Sequence, residues 1–310
     1  TEQYWHGILP HSGKPARYHA EISALMKKYT PLLQEINGSV PKAEVAILRS
    51  YDQEWAFQIQ PHHPNHNYIQ HLLTYYKALH RANVPVDFVS EHNDWAKYKV
   101  LIAPLQFLMT EAHLDKLRAY VQNGGRLVVS WRSGIKDGTN ICHTDGPVPA
   151  LFDELTGVEL AEYDCLRDTS GLVAWDGETY PCIQWCDVLN PATAQPLAAY
   201  AHEFYAGTPA ITRNAFGAGC TYYVGTTMED ALADKFVAQL CADASVAPLV
   251  ATPALVEAAH RVKDGKTYLF LLNHNETAQQ VDVPAGYVTW DGADWNGEIG
   301  PMGVQVFVKE

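Results

Sequence analysis

Four short apolar runs separated by helical patterns set the tightest limit on how this chain can fold. Val45, Ala46, Ile47 and Leu48 form the first, and residues 86–89, 100–103 and 126–130 form the others. Runs that are largely apolar throughout suit strands buried on both faces, the pattern of a parallel sheet. Between them, residues 68–82 carry Ile69, Leu72, Leu73, Tyr76 and Leu79 at helical spacing. Thr110 caps a second helix reaching residue 121, with Leu114, Leu117 and Val121 turned inward, and Asn123, Gly124 and Gly125 end it. This order of strands and helices predicts an α/β domain with a doubly wound sheet. Residues 51–66, polar and rich in His and Pro, read as a long loop beyond the first strand.

The flanking segments differ in texture. Residues 14–35 predict a helix bearing Ile22, Leu25, Met26, Tyr29, Leu32 and Leu33, with Pro31 kinking or restarting it. Further strands are expected near 158–162, 172–175, 196–200, 209–213 and 220–224, followed by a closing helix over 228–242. After Pro248 come alternating strands separated by Asp264 and Gly265, Asn275 and Gly-rich turns, which predict a small antiparallel β domain. The expected division is 1–37, 38–248 and 249–310.

Composition narrows the function. A formal charge of −13 argues against nucleic acid or an anionic membrane surface as partner, since both need clustered Lys and Arg. No stretch approaches the roughly 20 apolar residues of a membrane span. Six scattered Cys fit reduced thiols in a cytoplasmic protein better than a disulfide scaffold. Cys182 and Cys186 form a C-x₃-C pair without a second pair or an obvious His partner, so they read as plain thiols. No motif calls for a metal or a cofactor.

The first thirteen residues crowd Glu2, Tyr4, Trp5, His6 and His11 with Gly7 and Gly13, the composition of a polar ligand pocket. They resemble the last strand-to-helix loop of the catalytic barrel in family 42 glycoside hydrolases, the microbial β-galactosidases. The resemblance continues in order along the chain. Tyr51, Asp52, Gln53, Glu54 and Trp55 are similar to the acidic–Trp motif after that family's first α/β strand. So are Asn83 to Val89, Tyr98 to Pro104, Tyr120 to Gly125 with Arg132, Ser133 and Gly134, and Leu271 to His274 in their places. Ordered matches over most of the chain make the resemblance specific.

The resemblance implies a subunit with a (β/α)₈ barrel, an α/β trimerisation domain and a small β domain. A barrel takes about 250 residues, so only its last loop and helix would fit here, and the chain would be the C-terminal part of such an enzyme. The implied reaction is hydrolysis of terminal non-reducing β-D-galactosyl residues with retention. That chemistry needs two carboxylates roughly 5 Å apart, one as acid/base and one as nucleophile. The implied positions precede Thr1, so no catalytic residue is expected in this chain. Glu2, Trp5 and His6 would contact galactose in the intact enzyme, and the chain itself would form a homotrimer.

Other chemistries compete for the same residues. The α/β pattern is flavodoxin-like, shared with class I glutamine amidotransferases, which place a nucleophilic Cys on a sharp turn after a strand. A stand-alone amidotransferase-like domain acting on a small molecule is therefore the alternative. Here that turn reads Ser130, Trp131, Arg132, Ser133, Gly134, with no Cys and no G-x-S-x-G. His62, His63, His66 and His71 cluster, but Pro61 and Pro64 hold 61–65 as a loop, and a His-rich contact at a subunit or domain boundary is expected in place of a metal site. Gly217 and Gly219 read as a turn. Trp55, beyond the C-terminal end of a parallel strand, is the expected interface anchor.

Overall fold

The computed structural model describes residues 7–144, 153–167 and 169–310. Helix α1 (Arg17–Ile36) runs through Pro31 without interruption. It lies on the C-terminal β domain, where its Leu32 packs with Tyr268 and Val306. Its Glu35 carboxylate accepts from Tyr268 Oη at 2.8 Å and from Trp290 Nε1 at 2.9 Å. Ile22, Leu25, Met26 and Leu33 of the same helix stand exposed.

The α/β region opens with β1 (Val45–Leu48), α2 (Tyr51–Ile59), α3 (Tyr68–Arg81), β2 (Val86–Val89), β3 (Val100–Ala103), α4 (Glu111–Gln122) and β4 (Arg126–Ser130). It continues through α5 (Asp153–Thr156), β5 (Val158–Asp164), β6 (Ser170–Trp175), β7 (Glu178–Pro191), β8 (Gln195–Tyr200), β9 (Pro209–Phe216), β10 (Gly219–Val224), β11 (Thr226–Met228) and α6 (Asp230–Asp243). Among the described residues these strands make one eleven-stranded sheet, ordered β11-β7-β6-β8-β9-β10-β4-β3-β1-β2, with β5 also paired to β7. Strands β10, β4, β3, β1 and β2 run parallel; the rest pair antiparallel.

Alternation along the parallel strands explains why both faces are covered. Val45, Ile47, Val100, Ile102 and Val128 meet Phe57, Leu72, Tyr75 and Phe236 of α2, α3 and α6. Ala46, Leu48, Leu101, Ala103, Leu127 and Val129 meet Leu114, Leu117 and Val121 of α4. Gly125 and Gly219 let β4 and β10 begin side by side. A Cβ on Gly219 would sit 2.2 Å from the Gly125 carbonyl oxygen, and one on Gly125 would strike the Tyr120 ring.

Two expectations need correction. Residues 51–59 are helix α2, not loop: the Ser50 hydroxyl caps it by accepting from the Gln53 amide. The longest strand, β7, was not expected. Its pairing shifts register near Gln184, which takes φ +65, so no single alternation runs its length.

The C-terminal domain holds an antiparallel sheet of β12 (Val256–Lys263), β13 (Lys266–Asn273), β15 (Val288–Thr289) and β17 (Val304–Lys309), beside a pair formed by β14 (Gln279–Gln280) and β16 (Glu298–Ile299). Asp264 (φ +49) and Gly265 (φ +81) close its first hairpin, both residues in the left-handed region that a two-residue I′ turn demands.

Candidate functional site

The C-terminal ends of β1, β3 and β4 carry the richest chemistry, because each strand there releases its chain into a turn. After β1, Arg49 and Ser50 lead into α2, whose inner side is Gln53, Ala56 and Phe57. Gln53 locks the helix to the turn after β3, donating from Nε2 to the Leu108 carbonyl at 2.6 Å and accepting from its amide at 2.8 Å. The outer side is bare. Tyr51, Trp55 and Ile59 recur every four residues and are 61%, 57% and 71% exposed, so they form one apolar stripe. The Tyr51 and Trp55 rings stand 5.8 Å apart. Arg49 braces the stripe's start, 3.6 Å above the Tyr51 ring and ion-paired to Glu54.

A cleft of about 510 Å³ runs alongside, between Asp52, Trp55 and Ile59 on one wall and Glu91, His113 and Asn140 on the other. His113 Nδ1 lies 3.1 Å from the Glu91 carboxylate. Burial lowers the His113 pKa, and Glu91 opposes the shift.

Beneath α2 lies a buried polar and aromatic cluster. The turn after β4 puts Arg132 at φ +57, the left-handed region that few side chains adopt. Its guanidinium donates to the Gln60 and Pro61 carbonyls and sits among the Phe57, Phe107 and Trp185 rings. Burial lowers its pKa to about 10, with Asp187 pulling the other way. Asp187, from the antiparallel half, accepts from Trp185 Nε1 at 2.7 Å and Tyr223 Oη at 2.8 Å. Full burial outweighs those donors and raises its pKa to about 7. His71 Nε2 lies 3.0 Å from Ser130 Oγ, which also accepts from the Leu105 amide. Burial lowers the His71 pKa to about 3, so the ring is neutral at ordinary pH.

The imidazoles serve this cluster. His66 and His71 lie against Trp131, with centroids 5.2 Å away in each case, and His62 and His66 meet Trp185. The expected contact at a subunit or domain boundary is thus corrected for His63, His66 and His71, which are buried within the subunit. Among the described residues, no group of three or more His, Cys, Asp or Glu could hold a metal ion. The turn after β4, with Arg132 at its centre, carries no Cys, and the exposed Cys142 lies on a different loop.

Of the residues singled out in sequence, Trp55 is placed on the outer face of α2, and Glu2, Trp5 and His6 lie outside the described residues. Sequence reasoning missed Arg132, Asp187 and the His71–Ser130 contact. The available signal was a charged residue in the turn after an apolar strand.

Comparison with known proteins places this arrangement. Residues 43–247 match the family model described as the β-galactosidase trimerisation domain, and residues 255–309 match the β-galactosidase C-terminal domain. β-Galactosidase BgaB of Geobacillus kaustophilus is 32% identical over 99% of this chain and 47% of its own length. β-Galactosidase BgaA of Clostridium cellulovorans is 36% identical over 73% of this chain and 34% of its own. The crystal structure of the Bacillus circulans sp. alkalophilus β-galactosidase superposes with a TM-score of 0.93 at 30% identity, over 99% of this chain and 48% of that one. The chain thus spans about half the length, or less, of the relatives it matches. No helix among the described residues is long and apolar enough to cross a membrane. With both family models matched in order across nearly all of its length, the chain belongs to the family 42 β-galactosidases.

Proposed function

We propose that this chain is the assembling segment of a retaining β-galactosidase, which joins three subunits through its α/β domain. The observation that carries this reading is the Tyr51, Trp55 and Ile59 stripe, three large apolar side chains exposed in one row above a rigidly tied helix. Exposed apolar rows on a fixed scaffold are suited to a protein partner, and aromatic anchors dominate such contacts. Asp52, Glu91 and Asn140 along the adjoining cleft supply the polar rim. The parent enzyme's hydrolysis of terminal β-D-galactosyl residues is assigned to two carboxylates carried outside these 310 residues, with Glu2, Trp5 and His6 completing the galactose pocket. We divide the chain into a barrel remnant (1–37), the trimerisation domain (38–248) and the β domain (249–310). The exposed Ile22, Leu25, Met26 and Leu33 on α1 fit the first assignment, as the side that would face a barrel. The parallel order β2-β1-β3-β4-β10 supports a flavodoxin-like label for the middle domain. Reduced thiols favour a cytoplasmic location.

The test is turnover of a chromogenic β-galactoside. The reading expects none from this chain and recovery when it is joined to a barrel of the family. Turnover by the chain alone would refute the assignment of chemistry.

A further inference from the structure

Cys182 and Cys186 are four residues apart on one strand, and regular strand geometry would separate such residues by about 13 Å. The structure instead brings their sulfurs to 4.0 Å, with neither side chain exposed. The cause is the irregularity in β7. Across from it, Thr226 pairs with Cys186 while the next residue, Thr227, pairs with Ile183, so Gln184 and Trp185 are looped out of the ladder. Gln184 at φ +65 makes that bend. Both thiols therefore turn to one interior point beneath β11, the three-residue strand at the end of the sheet order.

Magnitudes decide what such a pair fits. A disulfide needs sulfurs about 2.05 Å apart, so closure would require the two to approach by nearly 2 Å inside a packed core. Two metal–sulfur bonds of about 2.3 Å span about 3.8 Å at a tetrahedral angle and about 4.6 Å in line. The observed 4.0 Å lies between those limits. Zinc in a structural site wants four ligands. Among the described residues no third His, Cys, Asp or Glu completes a metal-binding group, and the Thr226 hydroxyl, 3.7 Å from Cys186 Sγ, is a poor ligand. A thiolate pair without two further ligands selects soft ions that accept low coordination, of which Cu(I) is the biological representative.

We infer that Cys182 and Cys186 form a buried dithiolate site for a soft monovalent cation of the Cu(I) class. Binding exchanges two S–H protons for one Cu⁺, leaving a site of net charge −1 and releasing two protons without any change of oxidation state. The Gly171 amide lies within hydrogen-bonding reach of the Cys182 sulfur and offsets part of that charge, whereas the Thr226 and Tyr205 hydroxyls already donate to the Trp185 carbonyl and the Asp164 carboxylate. Entry requires local opening at β11, where the sheet has only three residues to break.

The experiment is an anaerobic titration of the reduced 310-residue chain with Cu(I) against a chromogenic Cu(I) chelator. One tight equivalent is expected in the wild type and equally in Cys142→Ser, which removes the exposed thiol. Cys182→Ser and Cys186→Ser should each weaken binding by at least about 100-fold while retaining a cooperative thermal transition. Should either serine variant unfold, X-ray absorption on the copper-loaded wild type decides. Two sulfur neighbours support the site, whereas nitrogen or oxygen neighbours overturn it. Failure of the wild type to hold copper, or unchanged affinity in folded serine variants, also overturns it. So would conversion of the pair by peroxide to a disulfide in a chain that binds no copper.

Discussion

The two halves of the large sheet are built on opposite terms. In the parallel half, β1 and β3 are four-residue strands buried at every position, sandwiched between α2, α3 and α6 on one side and α4 on the other. In the antiparallel half, β6 alternates between buried and more exposed positions, β5 is buried only at Val158, and the fourteen-residue β7 changes partners along its length. The difference teaches where the polar groups go. The parallel half uses side chains for packing and leaves chemistry to its turns, whereas the antiparallel half carries Asp187 and the Cys182–Cys186 pair within a strand. Arg132 from the first half and Asp187 from the second lie close enough across the seam for each to bias the other's charge, without forming a direct ion pair.

Breaking that seam should have the largest effect. Asp187→Ala removes the acceptor of Trp185 Nε1 and Tyr223 Oη and leaves Arg132 without its nearby carboxylate. A loss of about 3–5 kcal/mol is expected for a buried charge network deprived of one partner, read from urea unfolding. A loss below about 1 kcal/mol would show that the halves are independent. Leu101→Ala, on β3 with no exposed surface, should cost about 2–5 kcal/mol. Leu172→Ala, on β6 and 41% exposed, should cost a small fraction of that. Equal losses would erase the contrast between the halves.

Assembly should be sensitive at the parallel half's edge alone. Trp55→Ala is expected to weaken association by about 2 kcal/mol or more. The far-ultraviolet spectrum and unfolding midpoint of the monomer should stay unchanged, because the side chain points away from the core.

Titration separates the halves by sign. His71 has a folded pKa of about 3, below its ordinary 6.5, so the unfolded chain binds more protons between those values. Its contribution to stability is complete above about pH 6.5 and falls as the pH drops toward 3. Asp187, raised to about 7 from 3.8, works in reverse. Its contribution is complete below about pH 4 and is lost as the pH rises through 7. The two slopes, each up to about 1.4 kcal/mol per pH unit, oppose one another over the shared range. Asp187→Asn should therefore make stability rise more steeply between pH 4 and 6.5 than in the wild type. His71→Gln should make it fall there. Unfolding curves for both variants at three pH values would sink this account if the slopes changed in the other direction.

Legibility in the sequence follows the same division. Val45 to Leu48 and Val100 to Ala103 could be read because burial on both faces leaves no position for a polar residue. Strand β7 could not, since Pro181 and the looped-out Gln184 and Trp185 destroy any period. Helix α2 escaped notice because only Gln53, Ala56 and Phe57 face inward across nine residues, too few to show a helical stripe. Trp55 was legible as a surface residue, though not the helix beneath it. Arg132 and Asp187 are 55 positions apart, and the packing that unites them leaves no local signal. Glu2, Trp5 and His6 rested on the family resemblance alone.

The central claim, that this chain retains the means to assemble, is tested most directly by multi-angle light scattering over a concentration series. The account predicts a wild-type species approaching three times the 34.5 kDa chain at tens of micromolar, and a shift toward the monomer for Trp55→Ala under the same conditions. A wild-type chain that stays at 34.5 kDa throughout, or a trimer indifferent to Trp55→Ala, would contradict it.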